Sequence, residues 1–152
     1  MPEDKKADRE RQIFLAFARM SGLPIDLESA ESRKPPEPDI ICYCPDIGHL
    51  YFELVELAEV EIKQKFGRFG EQLGDYIRIN SNVRETLKKK ASRRYKADYP
   101  IDLLCYAVGS VRPDDALIED IRLWLGSDRG QFCRVWFFGE TGATLVFADS
   151  SE

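Results

Sequence analysis

The chain has 152 residues, 43% of them hydrophobic and 32% charged, with a formal net charge of −5. That length suits one domain, residues 1–152, which can bury about 68–70% of its unfolded surface and so needs neither a metal nor a disulfide in order to fold. The sequence has no run of about 20 apolar residues, and its opening, MPEDKKADRERQ, is too charged for a signal peptide. These features argue against a membrane-spanning helix and predict a cytoplasmic protein whose residues 1–8 form a disordered tail.

The first element is helical. DRERQIFLAFARMSG places Ile13, Phe14, Phe17 and Met20 at helix spacing, and Gly22 ends the helix. Residues 24–38, with Pro24, Pro35, Pro36 and Pro38, are expected to be an irregular connector. Two strands follow, at about residues 39–44 and 51–57, joined by a turn at PDIGH that leaves the only histidine, His49, exposed. Residues 58–80 contain three glycines whose spacing matches neither GxGxxG nor the P-loop, and they are assigned to helix and loop.

SNVRETLKKKASRRYKADYP reads as a helix capped by Ser81 or Asn82. IDLLCYAVG is a continuous apolar run of strand length, as expected of a central strand covered on both faces. RPDDALIEDIRLWLGS begins with proline and acids and aligns Leu117, Ile121 and Leu125, which predicts a helix. FCRVWFFG and ATLVFA complete the set as a hairpin, with the aromatic residues 136–138 packing in the core rather than stacking on bases. The predicted order is α-β-β-α-β-α-β-β: an α/β (α+β) fold with a mixed sheet of about five strands flanked by helices.

Cys42, Cys44, Cys105 and Cys133 all lie in strand-like runs and form no CxxC pair. CYC puts two thiols on one strand face, where they would suit a metal. The reading that fits all four cysteines is small buried hydrophobes in a reducing compartment.

Charge is unevenly spread. RETLKKKASRRYK, from Arg84 to Lys96, has seven basic residues and one acid, a local +6 that leaves −11 on the rest of the chain. Screening confines each charge to about 8–10 Å, so such a face can bind phosphates even on an acidic protein. Arg84, Lys88, Lys89, Arg93 and Arg94 are its candidate phosphate contacts. A solvated helix face is the plainer explanation.

Asp39 and Glu53 stand in the two paired strands among apolar neighbours, and burying an unpartnered carboxylate is costly. Two carboxylates held together suit a hard divalent cation such as Mg²⁺, which takes oxygen ligands and keeps several waters. The structural alternatives are an exposed strand-entry residue for Asp39 and a core ion pair for Glu53. Alternation puts Tyr51, Glu53, Val55 and Leu57 on one face of the second strand, so Glu56 should point the other way.

EPDII, followed fourteen residues later by ELV, resembles the PD-(D/E)XK nuclease superfamily of restriction-endonuclease-like fold. On that resemblance Asp39 is the acid of PD, Glu53 the acid of the second half-motif, and Val55 stands where a lysine is usual. Members are known whose lysine has migrated to the following helix, and VRETLKKKASRRYKADYPIDLLCYA resembles that variant, with a lysine-bearing helix, a tyrosine and an apolar strand. Val83 and Leu87 mark the inward stripe of that helix. Continuing it reaches Lys90, Ala91 and Arg94 and leaves Lys88 and Lys89 in solvent. Lys90 is therefore the expected catalytic cation.

The resemblance further implies Mg²⁺ or Mn²⁺ as cofactor, with Asp39, Glu53 and a further acid, Glu56, as ligands. It also implies an opening acid, matched by Glu10 on the first helix or by Glu28 or Glu31, and a nucleic-acid substrate, DNA ahead of RNA. A homodimer would double the basic face. Two other functions fit the sequence: an inactive member of the fold that binds nucleic acid or a protein, suggested by Val55, and an acidic module that meets a basic partner.

Overall fold

In a computed structural model, which describes residues 2–57, 83–107, 113–126 and 128–148, the chain is an α+β fold built on one six-stranded mixed sheet. The elements are α1 (Pro2–Met20), β1 (Asp26–Ser32), β2 (Ile40–Cys44), β3 (Gly48–Glu56), α2 (over residues 83–92), β4 (Ile101–Tyr106), α3 (Asp114–Leu125), β5 (Phe132–Gly139) and β6 (Gly142–Phe147). The strands lie in sequence order across the sheet. β1, β2 and β3 form an antiparallel meander, β3, β4 and β5 are parallel, and β6 returns antiparallel to β5. The segments containing α2 and α3 make the two parallel crossovers. Crossovers between neighbouring strands share one hand, so both helices pack on the same sheet face.

That face is a core in which Val83, Leu87 and Ala91 of α2 and Leu117, Ile118, Ile121 and Leu125 of α3 meet Tyr51, Val55, Leu103 and Cys105. The opposite face is covered by α1, whose Phe14 and Phe17 pack against Phe52 and Trp136. β4 is buried along its whole length, as a continuous apolar run requires.

Three expectations are corrected. Residues 26–32, placed in an irregular connector, form β1: the four prolines flank this stretch and none lies inside it. β1 keeps Asp26, Glu28 and Glu31 exposed while Ala30 is buried, and a register shift between Asp26 and Glu31 changes which side chains face inward. It is a charged edge strand of the kind that resists further pairing. Second, α1 starts at Pro2, so the expected tail is helical; proline is tolerated in a first turn. Third, Met20 is 57% exposed, and Leu15 and Ala18 are buried in its stead. His49 is exposed as expected, but it lies in β3 rather than in the turn. The assignments for residues 58–80 and the caps Ser81 and Asn82 fall outside the described residues.

Cys42, Cys44 and Cys105 are buried, Cys133 is half-buried, and none of the four forms a disulfide; burial pushes the Cys42 thiol up to about 12. One polar group in the core has no counterpart in the sequence reading. Asp102 of β4, with no exposed surface, accepts hydrogen bonds from Arg134 Nε at 2.8 Å and Trp136 Nε1 at 3.0 Å through Oδ2, while Oδ1 has no partner among the described residues. Burial raises its carboxyl to about 6 even with Arg134 opposite it in the β4–β5 register.

Candidate active site on the open edge of β3

Pairing between β2 and β3 runs from Cys44–Gly48 to Ile40–Phe52 and stops there. Beyond Phe52, β3 keeps β4 on one side and loses β2 on the other, which leaves a short open edge from Glu53 to Glu56. An unpaired backbone N–H in a half-buried position needs a substitute acceptor. Asp39, the residue just before β2, supplies one: its Oδ2 accepts the Leu54 N–H at 2.9 Å. In return the Asp39 N–H donates to Glu53 Oε1 at 3.0 Å. The two acids singled out in the sequence are thus interlocked across the point where the strands part.

Glu53 lies on the α2 side of the sheet, as alternation predicts, and is 3% exposed. Its second oxygen, Oε2, accepts from Lys90 Nζ at 2.8 Å and from the Tyr95 hydroxyl at 3.1 Å, and Arg93 lies 3.9 Å away. Lys90, 18% exposed, emerges from the inward stripe of α2 next to buried Ala91. Tyr95 follows the helix, and its N–H is held by Gln131 Oε1 at 2.7 Å. The loop that carries Gln131 reaches α2 because Gly130, at φ +59°, comes so close that a Cβ there would overlap the Ala91 carbonyl oxygen. Burial and the adjacent Glu53 push the Tyr95 phenol up.

The acids are poised unequally. Among the described residues Glu53 has a lysine, a phenol and a backbone N–H, whereas the Asp39 carboxyl has the Leu54 N–H. Burial first, and then repulsion from Glu53 with a further contribution from Glu10, raise the Asp39 carboxyl to about 7. Burial likewise raises Glu10 of α1, which feels both Lys90 and Glu53. Of the three candidates for an opening acid, Glu10 reaches this cluster. Glu28 and Glu31 lie exposed on β1, where Glu31 pairs with Arg33 at 3.2 Å.

The cluster borders a cleft of about 340 Å³ lined in part by Lys6, Arg9, Glu10, Val55, Glu56 and Lys90. Glu56 does not join Asp39 and Glu53. It points to the α1 side, as strand alternation predicts, and pairs with Arg9 at 3.0 Å. Arg94 leaves the inward stripe because α2 ends at residue 92, and it is exposed. Arg84, Lys88, Lys89 and Arg93 are exposed as expected, although Lys88 lines a different depression, shared with Leu123, Trp124 and Asp128. Sequence reasoning gave no role to Tyr95, Lys6 or Arg9. Only the tyrosine carried a signal there, its place after the lysine-bearing helix.

Among the described residues no three Asp, Glu, His or Cys side chains converge as a metal cage. Mg²⁺ does not require one, since it is held by one or two carboxylates, its own waters and substrate phosphates. Asp39 and Glu53 repel each other, and Glu10 adds to the repulsion on Asp39. Carboxyl groups so placed beside a cleft fit that lighter form of binding. None of the three comparisons, with family models, with curated proteins and with solved structures, gives a significant match, so functional meaning has to be drawn from this cluster's own geometry.

Proposed function

We propose that the protein is a metal-dependent phosphodiesterase of the PD-(D/E)XK type, a nuclease acting in the cytoplasm on nucleic acid, DNA ahead of RNA. One observation carries the reading: Lys90 Nζ lies 2.8 Å from Glu53 Oε2 while Asp39 is locked to the other oxygen of the same carboxylate. Residues 39, 53 and 90 were selected from the sequence as a catalytic set, and three separate elements bring them to one spot. A bound Mg²⁺ or Mn²⁺ would supply an activated water and neutralise charge developing on the phosphate.

The chain's own residues do the rest. Asp39 and Glu10 offer carboxylate oxygens to the cation. Glu53, anchored by Tyr95, holds Lys90 at the mouth of the cleft. Released toward a substrate phosphate, the Lys90 ammonium stabilises the anionic transition state in a partly water-excluded place. Arg84, Lys89 and Arg93 contact neighbouring phosphates, so binding weakens steeply with salt.

A second reading is an inactive fold that binds nucleic acid or protein. It is favoured by the way Glu53 spends both oxygens on internal partners and by Val55, apolar and 5% exposed, at the usual lysine position. Cleavage assays with Mg²⁺ or Mn²⁺ on plasmid, single-stranded DNA and RNA separate the two. The active reading expects Lys90→Met to lower the cleavage rate by about 10²-fold, with the metal still bound. Absence of cleavage on all three substrates, with salt-dependent binding retained, would establish the inactive reading.

A further inference from the structure

We propose that the tip of the β2–β3 hairpin is a docking site for an arginine-bearing segment of a protein partner, separate from the acid cluster. Six large hydrophobic residues are exposed among the described residues, and three of them gather here: Tyr43 at 39%, Ile47 at 42% and Tyr99 at 42%. The two tyrosines belong to a continuous row of rings, and Ile47 sits in the adjoining hairpin turn. Tyr43 meets His49 at 5.2 Å between centroids, His49 meets Tyr99 at 4.8 Å, and Tyr99 meets Tyr51 at 6.1 Å. Tyr51, 3% exposed, roots the row in the core, and Tyr43 and His49 are directly paired in the sheet register. A strand-borne row of this kind is held in place before any partner arrives, so little side-chain entropy is lost on binding.

Exposed aromatic clusters mark interaction sites, and tyrosine is enriched among the residues that dominate interface energies. Charge selects the occupant. Asp26 stands opposite Tyr43 in the β1–β2 register, Asp46 lies in the hairpin turn beside Ile47, and Asp98 directly precedes Tyr99. All three are exposed, and none forms an ion pair among the described residues. Arg33, the cation that acts on Tyr51, is already held by Glu37 and Glu31. Exposed rings bordered by carboxylates that form no ion pair among the described residues repel a phosphate backbone. They suit a guanidinium, which stacks flat on a ring while its N–H groups reach the acids.

The test is a titration of the full chain with an oligoarginine peptide, followed by amide chemical shifts, beside a parallel titration with an oligothymidylate. Shifts should concentrate on residues 43–51 and 98–99. Tyr99→Ser should weaken the peptide by about tenfold, while Leu145→Ser, an exposed position on β6 at the far edge of the sheet, leaves it unchanged. If Tyr99→Ser does not fold, His49→Ala takes its place. The proposal is overturned by absent binding, by binding indifferent to Tyr99 and His49, or by an oligothymidylate that occupies the same residues more tightly than the peptide.

Discussion

Replacing Arg134 with leucine is expected to destabilise the protein by about 3–5 kcal/mol, the usual cost of removing one partner from a buried ion pair. Asp102 has no exposed surface and one oxygen without a partner among the described residues, so the Arg134 guanidinium at 2.8 Å is its main compensation. Trp136 Nε1 and the backbone N–H of residue 134, which remain in the variant, are neutral donors and cannot replace a full positive charge at that depth. The loss should also depend on pH. The native Asp102 carboxyl, at about 6, already lies above its ordinary 3.8. A raised carboxyl contributes stability that is complete below the unfolded value and is lost as pH rises through the folded one. Without Arg134 the folded value climbs further, so the variant should be penalised more at pH 8 than at pH 5, where Asp102 is protonated and needs no cation. Urea unfolding at the two pH values measures this directly. The double variant Asp102→Leu with Arg134→Leu should recover most of the loss, because apolar pairs often replace buried ion pairs without penalty. A small, pH-independent loss would mean that solvent reaches Asp102.

That ion pair also illustrates where the sequence was readable. IDLLCY announced a central strand by its apolar content, and β4 is buried throughout. Nothing in the run showed that its single acid would meet an arginine thirty-two residues later, because that depends on β4–β5 register. Helix periodicity was reliable where packing enforces it, at Phe14, Phe17, Leu87 and Leu117. It failed at the ends: Met20 lies on the last turn of α1, and Arg94 lies past the end of α2. β1 was hidden because proline density was read as an irregular connector over a window, whereas proline acts on single positions.

The candidate site was legible for a related reason. Asp39, Glu53 and Lys90 each break a local rule: an acid at a strand entry, an acid inside an apolar strand, and a lysine on an inward helical stripe. Groups that violate burial preferences need partners, and here they find one another. Tyr95 breaks no rule in the sequence. Its contact with Glu53 follows from the non-helical chain after residue 92 and from the close approach of Gly130 to Ala91, which no pattern in the sequence encodes. Glu56 was separable from Glu53 by strand alternation alone, and its pairing with Arg9 on the opposite face agrees with that parity.

Asp39→Asn is expected to make the protein more stable and, under the proposed nuclease reading, to abolish both metal binding and cleavage. The wild-type carboxyl is raised from 3.8 to about 7 by burial and by the facing Glu53, so its ionised form is a liability of the folded state. The stability this group contributes is complete below about pH 4 and lost as pH rises through 7. Asparagine keeps an oxygen for the Leu54 N–H and carries no charge, so the variant should gain about 1–3 kcal/mol over wild type at pH 8, after allowance for partial exposure, and less than half of that at pH 5. Thermal or urea unfolding across that range measures the difference, and a gain that does not change with pH would refute the raised Asp39 carboxyl. Protonation of Asp39 links to the cation. Mg²⁺ binding to the wild type should release close to one proton at pH 6, with apparent affinity rising about tenfold per pH unit up to 7 and levelling above it. Calorimetry in two buffers of different ionisation enthalpy reads that release. Asp39→Asn should give no metal heat at all. A stabilised variant that still binds metal would move the cation to Glu10 and Glu53, whereas a wild type that binds none at several millimolar would leave the carboxylate pair as the clasp that closes the open edge of β3.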